Sequence, residues 1–280
     1  MQLHALTEKQ VIIAANKASK RCDYFCLECA GLVRLRGGLH RQNHFFHIQP
    51  TTSCKLNGKG MRHLQVQIAL QRAFPEGIIL LEKRFPQIGR IADAVWEERK
   101  IIFEVQCSSI TPEEIKARNE DYQFLGYQVI WILHEALYNK FRATAAEYFL
   151  ENLPHYFTNI DREGSGIIYD QYSILLKGIR LARLEKRSID IAEIRTQNSL
   201  KSIFPENLRK RLTSYPYYFA GDVVDRSLKD AAYLEKIMNL EKENSMLAIS
   251  PTFSFSQVLE KTIFRPYRIL FRYLLECACR

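Results

Sequence analysis

Along residues 61–133 the spacing of hydrophobic and polar positions changes period in a readable order. Residues 61–74, MRHLQVQIALQRAF, place their apolar side chains on one helical face. Residues 77–85, GIILLEKRF, form a strand-like run. Two further β-branched runs lie within residues 88–106, IGRIADAVWEERKIIFEVQ. TPEEIKARNEDYQFLG, 111–126, predicts a second helix, started by Thr111, Pro112 and Glu114 and stopped at Gly126. YQVIWIL, 127–133, is apolar throughout, the pattern of a strand buried on both faces. The predicted order is helix, three strands, helix, strand.

Two carboxylates interrupt the strand pattern. Asp93 sits in the first β-branched run and Glu104 in the second, with Gln106 two residues on. A hairpin turning at Glu98-Arg99, or a loop over 97–100, pairs 96 with 101 and sets Asp93 opposite Glu104. Opposed side chains of an antiparallel pair lie roughly 5 Å apart, and Gln106 shares the face of Glu104. A single acid of this kind is more often a structural pair or cap. Two of them with Gln106 in one hairpin point to a site. Carboxylates that close repel unless a cation lies between them, and a divalent ion with oxygen ligands supplies one. The acid, ten-residue gap and Glu-x-Gln therefore read as a metal-dependent nuclease site with Asp93 and Glu104 as ligands of Mg²⁺ or Mn²⁺. The order of elements, with acids on the second and third strands, resembles the restriction-endonuclease-like core, an α/β fold.

Charge and cysteine usage extend this picture. Forty Lys and Arg against 31 Asp and Glu give a formal charge of +9, which favours phosphate-rich partners such as DNA. No stretch is long and apolar enough for a membrane span, and the first residues lack a signal-peptide core, so a cytoplasmic protein is expected. In that reducing compartment the seven cysteines are thiols or metal ligands. Cys26-x2-Cys29 precedes His44-x2-His47 by fourteen residues, a four-ligand set for structural Zn²⁺, with Cys22 and Cys54 close enough in sequence to replace one ligand. A segment of this size has little core of its own, and zinc would help it fold. The expected division is a zinc-ribbon-like segment at 1–57, a nuclease domain at 58–155 and a mainly helical region at 156–280. Within the last, 179–195 alternates in charge like a solvated helix face. Arg265, Arg268 and Arg272 line one stripe of a terminal amphipathic helix.

Together these pieces resemble the competence protein CoiA-like family. The resemblance rests on Phe25-Cys26-x2-Cys29, His44-Phe45-x-His47, His63, Ala92-Asp93, the run from Phe103 to Ser108 and Arg118-x3-Tyr122, and covers about residues 25–134. It implies a protein that promotes transformation by acting on incoming DNA around recombination. Asp93 and Glu104 would be metal ligands and Gln106 the third motif position. His63, Arg118 and Tyr122 join the candidate catalytic set. Two departures stand out. Gln106 replaces the Lys most common in this fold, and Met61-Arg62 and Gln67 replace a helix acid and a Lys one turn later. These departures keep two alternatives in view: a catalytically silent DNA-binding accessory, and an adaptor whose charged second half recruits recombination proteins.

Overall fold

The computed structural model describes residues 1–38, 41–49, 54, 56, 59–196, 204–214, 217–249 and 267. The expected terminal stripe of Arg265, Arg268 and Arg272 lies outside them. The chain opens with β1 (His4–Leu6), β2 (Ile12–Ala14), β3 (Asp23–Phe25), β4 (Leu32–Gly38) and β5 (Arg41–His47). These form one antiparallel sheet in the order β2-β1-β3-β4-β5. Its small core holds Tyr24, Leu27, Val33 and Phe45 together with Cys26 and Cys54.

The central unit comprises α1 (Met61–Arg72), β6 (Ile79–Phe85), β7 (Arg90–Trp96), β8 (Ile101–Gln106), α2 (Pro112–Phe124) and β9 (Gln128–His134). Strands β6, β7 and β8 are antiparallel, and β8 crosses over through α2 to a parallel β9. The start of α2 follows its sequence. Thr111 accepts a hydrogen bond from the Glu114 amide, Pro112 occupies the first turn, and Gly126 takes the left-handed conformation (φ 78°) just past the end. The β7–β8 turn spans 97–100 and is closed from the Lys100 amide to the Glu97 carbonyl, with Lys100 itself left-handed. That places Trp96 opposite Ile101 and Ala94 opposite Phe103.

Both faces of this sheet are covered. Ala94, Trp96, Ile101, Phe103 and Val105 pack with Leu64, Ile68 and Leu70 of α1. Val95, Ile102, Val129 and Trp131 pack with Ile115 and Tyr122 of α2. Burial of each such side chain contributes about 1.5–3 kcal/mol. This two-sided burial explains the unbroken apolar run of β9.

The remainder comprises α3 (Ala145–Phe149), β10 (His155–Thr158), β11 (Ile168–Asp170), β12 (Ser173–Leu176), β13 (Ile179–Arg183), β14 (Arg187–Ser188) and β15 (Asp190–Thr196). After these come α4 (Glu206–Ser214), β16 (Tyr217–Ala220), α5 (Val223–Lys229) and α6 (Ala231–Ile249). Among the described residues this region mixes strands and helices, where a mainly helical region was expected. β10 lies parallel to β9, and β11 and β14 extend the sheet to seven strands, β14-β11-β10-β9-β8-β7-β6. The expected division at residue 155 falls inside this sheet. The charged stretch 179–195 forms strands rather than a helix, because its charges find partners: Arg180, 5 % exposed, pairs with buried Glu147 and bonds the Lys140 carbonyl. Ile189 and Ile191 join the main core.

Candidate active site and metal set

Asp93 stands where the β7–β8 ladder stops. Pairing is regular to Ala94 and Phe103. Beyond that point Asp93 Oδ2, rather than a backbone carbonyl, accepts the Val105 amide at 2.8 Å. Its Oδ1 accepts from Lys59 Nζ (2.5 Å), His63 Nε2 (2.9 Å) and Gln67 Nε2 (3.1 Å). His63 and Gln67 are one turn apart on the buried face of α1, so their spacing aims both at one carboxylate.

Glu104 is held by the opposite layer. Arg118 Nη1 donates to Oε2 at 2.7 Å and the Tyr122 hydroxyl to Oε1 at 2.9 Å, both from α2, again one turn apart. Arg118 is in turn fixed by Glu114, which also receives Arg90. The two acids, 2 % and 1 % exposed, are thus gripped by helices on opposite faces of the sheet. Of the candidate residues, Asp93, Glu104, His63, Arg118 and Tyr122 converge. Gln106 lines the same cleft but donates to Ser108, at 2.8 Å to its carbonyl and 3.2 Å to its hydroxyl.

Charge is distributed unequally over the pair. Burial would push Asp93 up, but the neighbouring His63 and Lys59 outweigh it and hold the carboxyl well below the usual range. Burial and the Asp93 charge push Glu104 up, against Arg118, Lys59 and the Tyr122 hydrogen bond. Burial lowers His63 despite Asp93, so at neutral pH it is an uncharged Nε2–H donor. Lys59 is raised: Asp93 and Glu82 overcome the burial penalty and keep it an ammonium.

A cleft of about 1470 Å³ runs past these groups, between the N-terminal sheet and the central unit. Lys59, Arg62, Arg72, Arg90, Arg118 and Arg162 line it, outnumbering the acids Glu28, Asp93, Glu114 and Glu163. The donor chemistry suits a hard divalent cation. Asp93 Oδ2 carries one hydrogen bond and each Glu104 oxygen one, which leaves lone pairs on all three oxygens.

The second cluster lies in the N-terminal sheet. The ligand atoms of Cys26, Cys29, His47 and Cys54 are all within 4.8 Å of one another, and the set could bind a zinc ion. Cys26 Sγ and Cys54 Sγ are 3.7 Å apart and Cys29 Sγ is 3.3 Å from His47 Nε2. Zinc–sulfur bonds of about 2.3 Å imply a tetrahedral edge of about 3.8 Å, so the cage is of zinc size. The Glu28 and Gly31 amides point at the sulfurs of Cys26 and Cys29. A side chain at Gly31 would meet Cys29 Sγ at 3.2 Å, so the close turn there suits glycine.

This corrects the expected ligand set at one position. His44 and His47 are three residues apart on β5, and a strand's period of two sends them to opposite faces. His44 Nδ1 instead bonds the Gln42 carbonyl, and Cys54 completes the set.

Sequence reasoning missed Lys59, Gln67 and Glu82. Gln67 left a signal, a polar residue in the apolar stripe one turn after His63. Lys59 left none, because it precedes α1 in a segment without periodicity. Glu82 accepts the amides of Leu3 and His4 (both 2.8 Å) and so ties β1 to the edge of the central sheet.

Residues 60–176 match the family model described as "Competence protein CoiA, nuclease-like domain". Over this segment the chain is similar to the CoiA-like family. It is 29 % identical over 145 residues to the competence protein CoiA of Bacillus subtilis (strain 168). That match takes in 48 % of this chain and 36 % of the relative, so the chain spans about a third of the length of the curated relative it matches. No solved structure matches the chain. The matched segment carries both acids and their helix partners and runs on through β10 and β11 to the end of β12. The cysteine–histidine cluster lies before it. No helix among the described residues is long and apolar enough to cross a membrane.

Proposed function

We propose that this CoiA-like chain is a metal-dependent DNA nuclease acting in competence, in the cytoplasm, on DNA bound for recombination. The observation that carries the reading is a pair of almost fully buried carboxylates, Asp93 and Glu104, held from opposite helices beside a cleft rich in Lys and Arg that Asp93 itself lines. Isolated buried acids are rare because desolvation is costly, and two beside a basic cleft fit phosphodiester chemistry. The element order fits a restriction-endonuclease-like core, in which Asp93 and Glu104 would hold Mg²⁺ or Mn²⁺. Such an ion, when bound, lowers the pKa of water and offsets charge on the phosphate. Water would attack phosphorus and give up a proton to solvent as a bridging P–O bond breaks, and the departing alkoxide would take a proton from solvent. The neutral imidazole of His63 and the amide of Gln67 fix the Asp93 carboxylate. Arg118 and Tyr122 fix Glu104, and Arg118 presents positive charge to the cleft. Gln106, turned to Ser108, shapes the wall beside the acids. The N-terminal module with zinc on Cys26, Cys29, His47 and Cys54 forms the facing wall and would contact the DNA backbone.

A second reading has its own observation. Each acid already faces a cation, Asp93 with Lys59 and Glu104 with Arg118, an arrangement that would also serve a silent DNA-binding accessory. One experiment separates the two. Labelled linear, circular and single-stranded DNA are incubated with Mg²⁺ or Mn²⁺ and wild type, Asp93→Asn or Glu104→Gln. Cleavage by wild type that both variants lose, with DNA binding kept, is the expected result. DNA binding without cleavage of any substrate would overturn the nuclease reading in favour of the accessory.

A further inference from the structure

Lys59 lies outside every helix and strand, yet its ammonium is the shortest contact of Asp93. Its side chain is 13 % exposed and lines the cleft, so the charge is neither free in solvent nor sealed in the core. Three carboxylates, those of Asp93, Glu82 and Glu104, act on it. Among the described residues the cations paired with the two acids, Lys59 and Arg118, come from outside the strands; Gln106 is neutral and its amide donates to Ser108.

The position of Lys59 is set from the N-terminal module. Glu28, between Cys26 and Cys29, accepts the Leu56 amide at 2.9 Å and contacts Cys54 Sγ at 3.2 Å. Leu56 is 4 % exposed within that module's core. Four residues after Leu56, Gly60 is the residue from which α1 starts. Lys59 is therefore carried between two anchors, the cysteine–histidine cluster on one side and α1 on the other.

We propose that Lys59 is a catalytic residue of this site, an ammonium that contacts a non-bridging oxygen of the scissile phosphate while it remains paired with Asp93. The inference rests on the nuclease reading above. A flexible four-carbon stem anchored at its backbone suits this task, since Nζ has three donors and Asp93 uses one. Positive charge placed where negative charge grows in the transition state acts on turnover more than on substrate binding.

The test uses the full chain with Lys59→Met and Lys59→Arg, comparing DNA cleavage, Mn²⁺ binding by calorimetry and thermal melting with and without Mn²⁺. Lys59→Met should lower kcat by roughly 10²–10³-fold with little change in KM, and Lys59→Arg should recover part of it. Mn²⁺ should bind Lys59→Met roughly tenfold more tightly, because a like charge has been removed beside the ion's ligands. Mn²⁺ should then also raise its melting temperature more than that of wild type. If wild type cleaves and Lys59→Met cleaves equally well, the proposal fails while the nuclease reading stands. Loss of cleavage together with weaker Mn²⁺ binding would make Lys59 a structural counter-ion and likewise overturn it. If wild type cleaves nothing, the nuclease reading fails and takes this role of Lys59 with it.

Discussion

Removing Arg118 strands a charge, and the cost can be bounded. The Glu104 side chain is 1 % exposed, and Arg118 is its only ion-pair partner among the described residues. In Arg118→Met it keeps only the Tyr122 hydroxyl. Breaking a buried pair from one side costs about 3–5 kcal/mol in general, but a carboxylate can escape by taking a proton. An unfolded glutamate titrates near 4.5. Protonation at pH 7 therefore limits the charge penalty to about 3.4 kcal/mol, and at pH 5 to about 0.7 kcal/mol. Glu104 is already raised in wild type, so part of that penalty is present before the substitution. The sign is fixed: a carboxyl raised in the folded state contributes stability at low pH that is lost as pH rises through its folded pKa. Arg118→Met should thus be destabilised by about 2–3 kcal/mol at pH 7 and by less than about 1 kcal/mol at pH 5. Adding Glu104→Gln should restore most of the loss at pH 7. Urea denaturation of the four proteins at both pH values measures all of this. An Arg118→Met penalty that is equal at pH 5 and 7, or that Glu104→Gln does not relieve, would refute the reasoning.

Two further outcomes follow from the other clusters. Purified protein should carry one zinc per chain by elemental analysis, with chelation lowering the melting temperature; Cys54→Ser should lose the metal and His44→Ala keep it. The reverse pattern would return His44 to the ligand set. Burial and the neighbouring Asp170 push Asp222, at the start of α5, up to about 6. Its contribution is present in full below about pH 3.8 and lost as pH rises through about 6, a span worth at most about 3 kcal/mol. Asp222→Asn keeps the acceptor oxygen for the Asp225 amide and should flatten that part of the stability–pH curve. An unchanged slope between pH 4 and 7 would show that Asp222 is not its source.

Much of the central unit was legible because its signals are local. The Thr111 cap, Gly126 stop and apolar period of α1 each depend on residues within one or two turns. The 96–101 register, from which Asp93 and Glu104 were brought together, follows from counting outward from one turn. Arg118 and Tyr122 entered the candidate set through the family resemblance, and their one-turn spacing on α2 lets both reach Glu104. Lys59 was not, because its placement depends on where the N-terminal module packs against α1, a long-range relation with no periodic trace. His44 looked equivalent to His47 in spacing, and only a strand's alternation separates them. The stretch 179–195 misled for a related reason. Alternating charge reads as a solvated face when partners are unknown, whereas buried Glu147, over thirty residues upstream, makes a strand position available to Arg180.

The Val105 amide gives Asp93 a second employment. By accepting it at the point where β7 and β8 part, the side chain of Asp93 stands in for a main-chain carbonyl in the middle of a buried sheet. An unpaired amide there costs about 1–3 kcal/mol, whether or not the chain ever cuts DNA. A relative that did not cleave DNA would still be held to Asp or Asn at this position by folding alone. Glu104 hydrogen-bonds side chains and no backbone group among the described contacts, so selection for architecture has a weaker grip on it. Among relatives, an acid at 104 is therefore the better witness to activity, and the acid at 93 the better witness to ancestry.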